Sequence, residues 1–135
     1  MKYTLLLSLI LALIVPLVSE GAEWVLYAAS ESDGQWYLDK ESIIHKSKHV
    51  IRVWDKVKYA QPQKIETKFY RELIRYIELD CKEKKLRILQ ATFYLLDNET
   101  LSTIGRDRPK EDWSYIQPGG NNDILQEILC KGEFK

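Results

Sequence analysis

Two cysteines are the residues whose chemistry the sequence indicates most directly. Cys81 and Cys130 are the only cysteines in the 135 residues, so each is the other's sole intramolecular partner. In an exported chain two cysteines most simply form one disulfide. A closed loop of about 49 residues would stabilise the fold by roughly 4 kcal/mol. Two free thiols are the alternative, and the spacing excludes a C-x-x-C redox motif.

Two histidines have a spacing that could bind a metal. His45 and His49 form an H-x-x-x-H pair, which on a helix places two imidazoles on one face, as in zinc sites. The intervening Lys-Ser-Lys is typical of a turn, and no acidic third ligand is nearby in the sequence. We therefore interpret both as surface histidines and predict neither a metal site nor a cofactor.

No pattern in the chain predicts catalysis. Nothing in the spacing of the carboxylates suggests a catalytic pair, which requires two groups held at a defined separation. The sequence contains neither a G-x-S-x-G motif nor a phosphate-binding loop. The protein is accordingly predicted not to be an enzyme. The scattered carboxylates are Asp39, Glu41, Asp55, Glu78 and Asp80.

The first 22 residues are typical of a secretory signal peptide. Lys2 precedes an apolar run over residues 5–18, and small residues follow at Ser19, Gly21 and Ala22. The run is shorter than the roughly 20 residues of a membrane-spanning helix. We expect cleavage near Gly21 or Ala22, an uncleaved anchor being the alternative. Since no cysteine precedes Cys81, we expect an exported chain, periplasmic or at the cell surface, without a lipid anchor.

Residues 23–135 are then one domain of about 113 residues, and its composition excludes one class of partner. The chain has 20 basic and 20 acidic residues. This balance argues against nucleic-acid binding, which relies on a basic excess. The mature chain is expected to contain no transmembrane segment.

Alternating apolar residues predict strands along most of the domain. Two apolar-rich runs, residues 76–81 and 86–89, flank a Lys-Glu-Lys-Lys turn, the pattern of a β-hairpin. The clearest strand is 50–59. Its odd-numbered positions are apolar except for Asp55, and its even-numbered positions place Trp54 among cations, so one face is predicted to be buried and the other solvated. Residues 60–68 resemble a loop, and 67–72 a short helical turn before a strand over 74–81.

The C-terminal part predicts a loop and then a helix. Residues 106–120 resemble a loop anchored by burial of Trp113, Tyr115 and Ile116. Asn-Asn-Asp at 121–123 offers N-cap residues, and an apolar stripe follows. The predicted fold is α+β, a meandering antiparallel β-sheet of about six strands with a C-terminal helix packed on one face and one disulfide. The stripe consists of Ile124, Leu125, Ile128 and Leu129.

Two sets of residues are candidates for binding. A basic hairpin end could dock an acidic partner, although a solvated turn that protects the sheet edge is the simpler interpretation. Exposed aromatic residues such as Trp54, Tyr70 or Tyr94 could form a contact surface, with core packing as the alternative. The candidate binding residues are Trp54, Lys82, Lys84, Lys85 and Arg87.

Several segments, in the same order along the chain, resemble the surface-adhesin protein E-like domain family of bacterial exported proteins. The segments are residues 36–39 with Ile43, 50–54, 80–82 with 87–89, Trp113 with 116–119, and 130–131. The resemblance covers essentially all of the mature chain. It implies an antiparallel sheet, a packed helix and a disulfide that holds the C-terminus. It further implies a receptor for host proteins, although the family's named member is lipid-anchored and this chain has no lipidation cysteine.

The expected function is that of an exported, non-enzymatic binding domain, a surface adhesin-like protein that recognises a protein ligand. The alternative is a periplasmic structural or assembly accessory protein with the same fold and no host ligand. The partner would be an extracellular or periplasmic protein.

Overall fold

The computed structural model describes residues 21–104 and 113–133, without the side chains of residues 103 and 104. The predicted signal peptide, residues 1–22, lies almost entirely outside the described residues. The strands are β1 Trp24–Ser30, β2 Gly34–Asp39, β3 Ile44–His45, β4 Val50–Ile65, β5 Lys68–Asp80, β6 Lys85–Leu95, β7 Thr100–Ile104 and β8 Ser114–Tyr115. A 3-10 turn spans Lys40–Ser42, and the helix α1 spans Asn121–Cys130.

The strands form one antiparallel sheet. Its main path is the meander β1-β2-β4-β5-β6-β7, while the short strands β3 and β8 pair with β4 and β6. The predicted fold class is confirmed, with six strands on the main path. The hairpin over residues 76–89 is also confirmed, since β5 and β6 join through a turn in which Lys84 has a φ of 51°.

The long β4–β5 hairpin corrects two predictions. Residues 60–65 continue β4 instead of forming a loop, and residues 68–72 belong to β5 instead of a helical turn. Pro62 is tolerated because the pairing register shifts between Lys58 and Gln63, so its missing N–H does not interrupt the ladder. In β5, Leu73, Ile77 and Leu79 lie on the inward face, as alternation along a strand requires, and all three are buried.

The helix covers one half of one sheet face. Leu125 and Leu129 are buried against the larger of two apolar clusters. The helix starts after Gly120 as N-cap with no side-chain cap, so the predicted capping by residues 121–123 is wrong. Ile124 remains exposed at 37% and only extends the stripe's edge. The buried members of this cluster are Leu38, Ile51, Val53, Ile77, Leu79, Leu86, Leu125 and Leu129.

A second cluster on the same face combines aromatic and aliphatic side chains. Tyr70 lies between Tyr59 and Phe93, with ring centroids 5.8 Å and 4.8 Å away in edge-to-face geometry. Edge-to-face pairs add roughly 1 kcal/mol to the area they bury. Tyr70 therefore belongs to the core and is not an exposed contact residue. The buried members are Trp36, Val57, Tyr70, Leu73, Ala91 and Leu95.

The predicted disulfide is confirmed. Cys81, directly after β5, is bonded to Cys130 at the last residue of α1, and their Cα atoms are 5.8 Å apart. The backbone N–H of Cys81 also donates to the carbonyl of His49, which ties this end of β5 to the turn before β4. The covalent link thus fixes the C-terminal end of the helix to the sheet.

The segment before the helix is partly different from the prediction. Trp113 and Ile116 are half-buried, but Tyr115 is 76% exposed and not an anchor. Ser114 and Tyr115 pair with Leu86 and Lys85 of β6, so the side chain of Tyr115 follows strand alternation outward. Residues 106–112 of the predicted loop lie outside the described part. Within that part, no helix has the length and apolar character needed to cross a membrane.

Candidate binding face

The sheet face opposite α1 carries the candidate site, and we call it the open face. Inward residues of β4 are buried, and the outward residues between them are half-buried or exposed. In the described part of the chain, no helix lies over these outward residues. The open face therefore presents a row of cations and one indole along β4. These residues are Arg52, Trp54, Lys56 and Lys58.

At the β1 side of the open face, Lys56 lies between two aromatic rings. Its Nζ is 4.4 Å from the ring centroid of Trp24 and 5.4 Å from that of Tyr37. The Nζ of Lys58 is 5.9 Å from the same Tyr37 ring. Tyr37 is itself held by a hydrogen bond from its hydroxyl to Gln35 Oε1, 2.9 Å long. The cation–π contacts hold the ammonium of Lys56 at the surface.

At the centre of the open face, Trp54 stacks on Tyr76. The two residues are direct cross-strand partners, and their ring centroids are 4.8 Å apart with an interplanar angle of 21°. The sequence predicted Trp54 on the solvated parity, and the structure places it there, half-buried. Trp54 and Tyr76 together form a stacked aromatic pair on this face, which we call the platform. Aromatic side chains of this kind are enriched in binding hot spots.

At the β6 side of the open face, two guanidinium groups share one carboxylate. Glu78 is buried and accepts from Arg52 Nε and from Arg87 Nη2, the latter at 2.8 Å. The guanidinium of Arg87 also lies 4.6 Å from the ring centroid of Trp113. The hydrogen bond from Arg52 to Glu78 raises the pKa of Arg52, so its guanidinium stays charged. Arg87 thus contributes to the sheet structure.

The structure divides the predicted binding residues among separate places. Lys82 and Lys84 are exposed in the β5–β6 turn, whereas Trp54 and Arg87 lie on the sheet. The Nζ of Lys85 is 4.8 Å from the ring centroid of Tyr115. The hairpin end and the platform are therefore two surfaces. Sequence reasoning missed Trp24, Tyr37 and Lys56, because only strand pairing brings them together.

The two histidines lie beside the disulfide. His45 is in β3 and His49 in the following turn, and both are exposed. They border a cleft of about 380 Å³ that also touches Cys81 and Cys130. Among residues 21–104 and 113–133, no three His, Cys, Asp or Glu side chains are grouped so that they could hold a metal ion.

A buried ion pair on the helix-covered face is the second feature that the sequence did not predict. Asp55 is fully buried and accepts from both Nε and Nη2 of Arg75, with the Nε contact at 2.9 Å. The hydroxyl of Tyr27 donates to Asp55 Oδ2 at 3.2 Å, and Arg75 donates to Asn122 Oδ1 at 3.3 Å. This network links β1, β4 and β5 with the first turn of α1.

The phenol of Tyr27 should make stability fall in alkaline solution. Burial, followed by the charge of Asp55, raises the pKa of Tyr27, whereas an unfolded tyrosine ionises near pH 10. Above about pH 10 the native state binds more protons than the unfolded state, so stability is complete below that pH and declines above it.

We expect Tyr27→Phe to lose about 1 kcal/mol at pH 7, because Asp55 loses a donor. The variant should decline less steeply than wild type between about pH 10 and 11.5. Urea unfolding followed by tryptophan fluorescence at each pH measures both quantities. Equal alkaline slopes for the two proteins would contradict the assignment.

The fold and the site define a class of small disulfide-linked α+β domains, in which a helix covers one sheet face and the other face displays side chains. A family model for surface-adhesin protein E matches residues 24–131. The chain belongs to this family, and the resemblance seen in the sequence is confirmed. Comparison with curated proteins gave no significant match.

Solved structures show the same fold. Haemophilus influenzae protein E is 17% identical, with a TM-score of 0.53 over 81% of this chain and 84% of the matched chain. Its crystal form II gives 18% identity, a TM-score of 0.52 and coverage of 74% and 83%. Protein E from non-typeable Haemophilus influenzae is 16% identical, with a TM-score of 0.51 over 79% of this chain and 76% of the matched chain.

Proposed function

We propose that this protein is an exported, non-enzymatic binding domain that acts as a surface adhesin-like protein and recognises a protein ligand through its open face. The observation that carries the proposal is the Trp54–Tyr76 platform, an aromatic surface at the centre of a sheet face that α1 leaves free. Membership of the surface-adhesin protein E family supports the same function. The proposed location is the periplasm or the cell surface.

The platform suits protein recognition for two physical reasons. Both rings are carried by paired central strands, β4 and β5, so little conformational entropy remains to be lost when a ligand binds. Each ring is also half-buried, so the stack offers apolar area without being part of the core. The basic turn with Lys82 and Lys84 is a second proposed contact, at the hairpin end.

Trp54→Ala should weaken ligand binding by about 30-fold, which corresponds to a loss of about 2 kcal/mol for a hot-spot residue. The probe is an immobilised basement-membrane extract, a mixture of matrix proteins, and retention of the purified mature chain is measured against concentration. Ile124→Ala is the control, because Ile124 is an exposed apolar residue on α1, across the sheet from the platform. The thermal midpoints of both variants should be compared with that of wild type.

Equal retention of the Trp54→Ala and Ile124→Ala variants, with both folded, would contradict binding through the platform. Protease treatment of intact cells tests the location. Digestion from outside is expected for an adhesin, whereas protection until the outer membrane is opened would favour the alternative, a periplasmic structural or assembly accessory protein.

A further inference from the structure

The cationic half of the open face differs from the half around Glu78. Across the described chain, no carboxylate lies within 4 Å of the Nζ of Lys56 or Lys58. Glu78, in contrast, is contacted by two guanidinium groups. An aromatic ring attracts an ammonium group but does not replace an oxygen acceptor. The ammonium groups beside Trp24 and Tyr37 therefore retain N–H donors for a ligand oxygen.

The Trp24 and Tyr37 rings hold the Lys56 side chain in place before a ligand binds. A free lysine side chain loses considerable rotamer freedom when it is fixed by binding. Contacts with Trp24 and Tyr37, at 4.4 Å and 5.4 Å, already restrict Lys56 in the free protein. Part of the entropic cost of binding is thereby removed in advance.

The spacing of the two lysines matches an extended chain. Lys56 and Lys58 are two positions apart on one strand face, so their Cα atoms are separated by about 7 Å. Side chains at alternate positions of an extended peptide have the same spacing. Facing them across β5 are Ile74 opposite Lys56 and Glu72 opposite Lys58. Glu72 partly offsets the charge of Lys58, which leaves Lys56 as the stronger site.

The charge of the whole chain favours an acidic protein segment over a sulfated polysaccharide. A polyanion is bound through an array of cations that displaces many counterions. This chain has no net charge, and Arg52 and Arg87 on the same face are already paired with Glu78. Two lysines flanked by Trp24, Tyr37 and the exposed Leu26 suit a short ligand with few charges and some apolar contact.

We propose that the open face binds an extended, acidic polypeptide segment whose alternating carboxylates contact Lys56 and Lys58, beside the Trp24 and Tyr37 rings. This inference rests on the proposed function and specifies the chemistry of its ligand. The segment lies along β4, with its apolar side chains reaching the rings. Lys56 is the main contact and Lys58 the second.

Fluorescence polarisation with labelled peptides tests the proposal on the mature chain. One peptide alternates glutamate with threonine, the second replaces each glutamate with glutamine, and a heparin oligosaccharide is the third probe. The glutamate peptide should bind at least about tenfold more tightly than the glutamine peptide. Lys56→Gln should remove about tenfold of that affinity, and Lys56→Arg, which keeps the charge, should retain most of it. Lys48→Gln, at an exposed turn lysine, is the matched control and should change affinity less than twofold.

Three results would overturn the proposal. These are equal binding of the two peptides, unchanged binding by folded Lys56→Gln, and Lys56-dependent binding of the heparin oligosaccharide without binding of the glutamate peptide. The last result would assign the lysines to a sulfated glycan. The basement-membrane assay separates this inference from the proposed function. Retention that depends on Trp54 but not on Lys56 leaves the platform as the binding surface and removes only the acidic ligand.

Discussion

Asp55→Ala should destabilise the protein by about 3–5 kcal/mol, because it leaves the guanidinium of Arg75 buried without its counterion. Asp55 is fully buried, and the Arg75 side chain is only 11% exposed. The remaining partner, Asn122 Oδ1, lies 3.3 Å from Nη2 and carries no charge. Urea unfolding at pH 7 measures the loss. A free energy of unfolding within about 1 kcal/mol of wild type would contradict this account.

The double variant Asp55→Leu with Arg75→Met distinguishes two quantities. One is the cost of burying an unpaired charge, and the other is the net contribution of the ion pair to the free energy of unfolding. Replacing both members of a buried pair by apolar residues of similar volume is often neutral or stabilising. We therefore expect the double variant to be markedly more stable than Asp55→Ala. A double variant as unstable as the single variant would mean that the network, including Tyr27 and Asn122, is required to position α1.

Cys130→Ser should lower stability by about 4 kcal/mol, because the Cys81–Cys130 bond closes a 49-residue separation and restricts the unfolded chain. The bond is also the covalent tie between the end of α1 and the sheet, so the helix should exchange its amide hydrogens faster. Thermal melting and hydrogen exchange of oxidised wild type and variant measure the two effects.

Two controls make this result specific. Cys81→Ser with Cys130→Ser should melt where the single variant does, and wild type should melt there too after reduction. An unchanged melting temperature in Cys130→Ser would show that the packing of Leu125 and Leu129 suffices to hold the helix. Total stability is typically 5–15 kcal/mol, so the expected loss is a large part of it.

Local patterns in the sequence determined most of the secondary structure. Period-two alternation located β4, because it reflects one buried and one exposed face within a single strand. The apolar stripe located α1, and the two cysteines identified their own bond, since no other partner existed. The same logic placed Trp54 on the exposed side. Each of these inferences needs only residues close in sequence, or a pairing with one solution.

The tertiary structure decided the features that depend on partners distant in sequence. Asp55 interrupts an apolar stripe, and only the β4–β5 register shows that Arg75 lies directly opposite it. Trp24, Tyr37 and Lys56 come from three strands and meet only when those strands pair. Register also decided that Pro62 stays within a strand, because a bulge removes the need for its N–H. Local propensity contains no information on such pairings, and the open face consists of them.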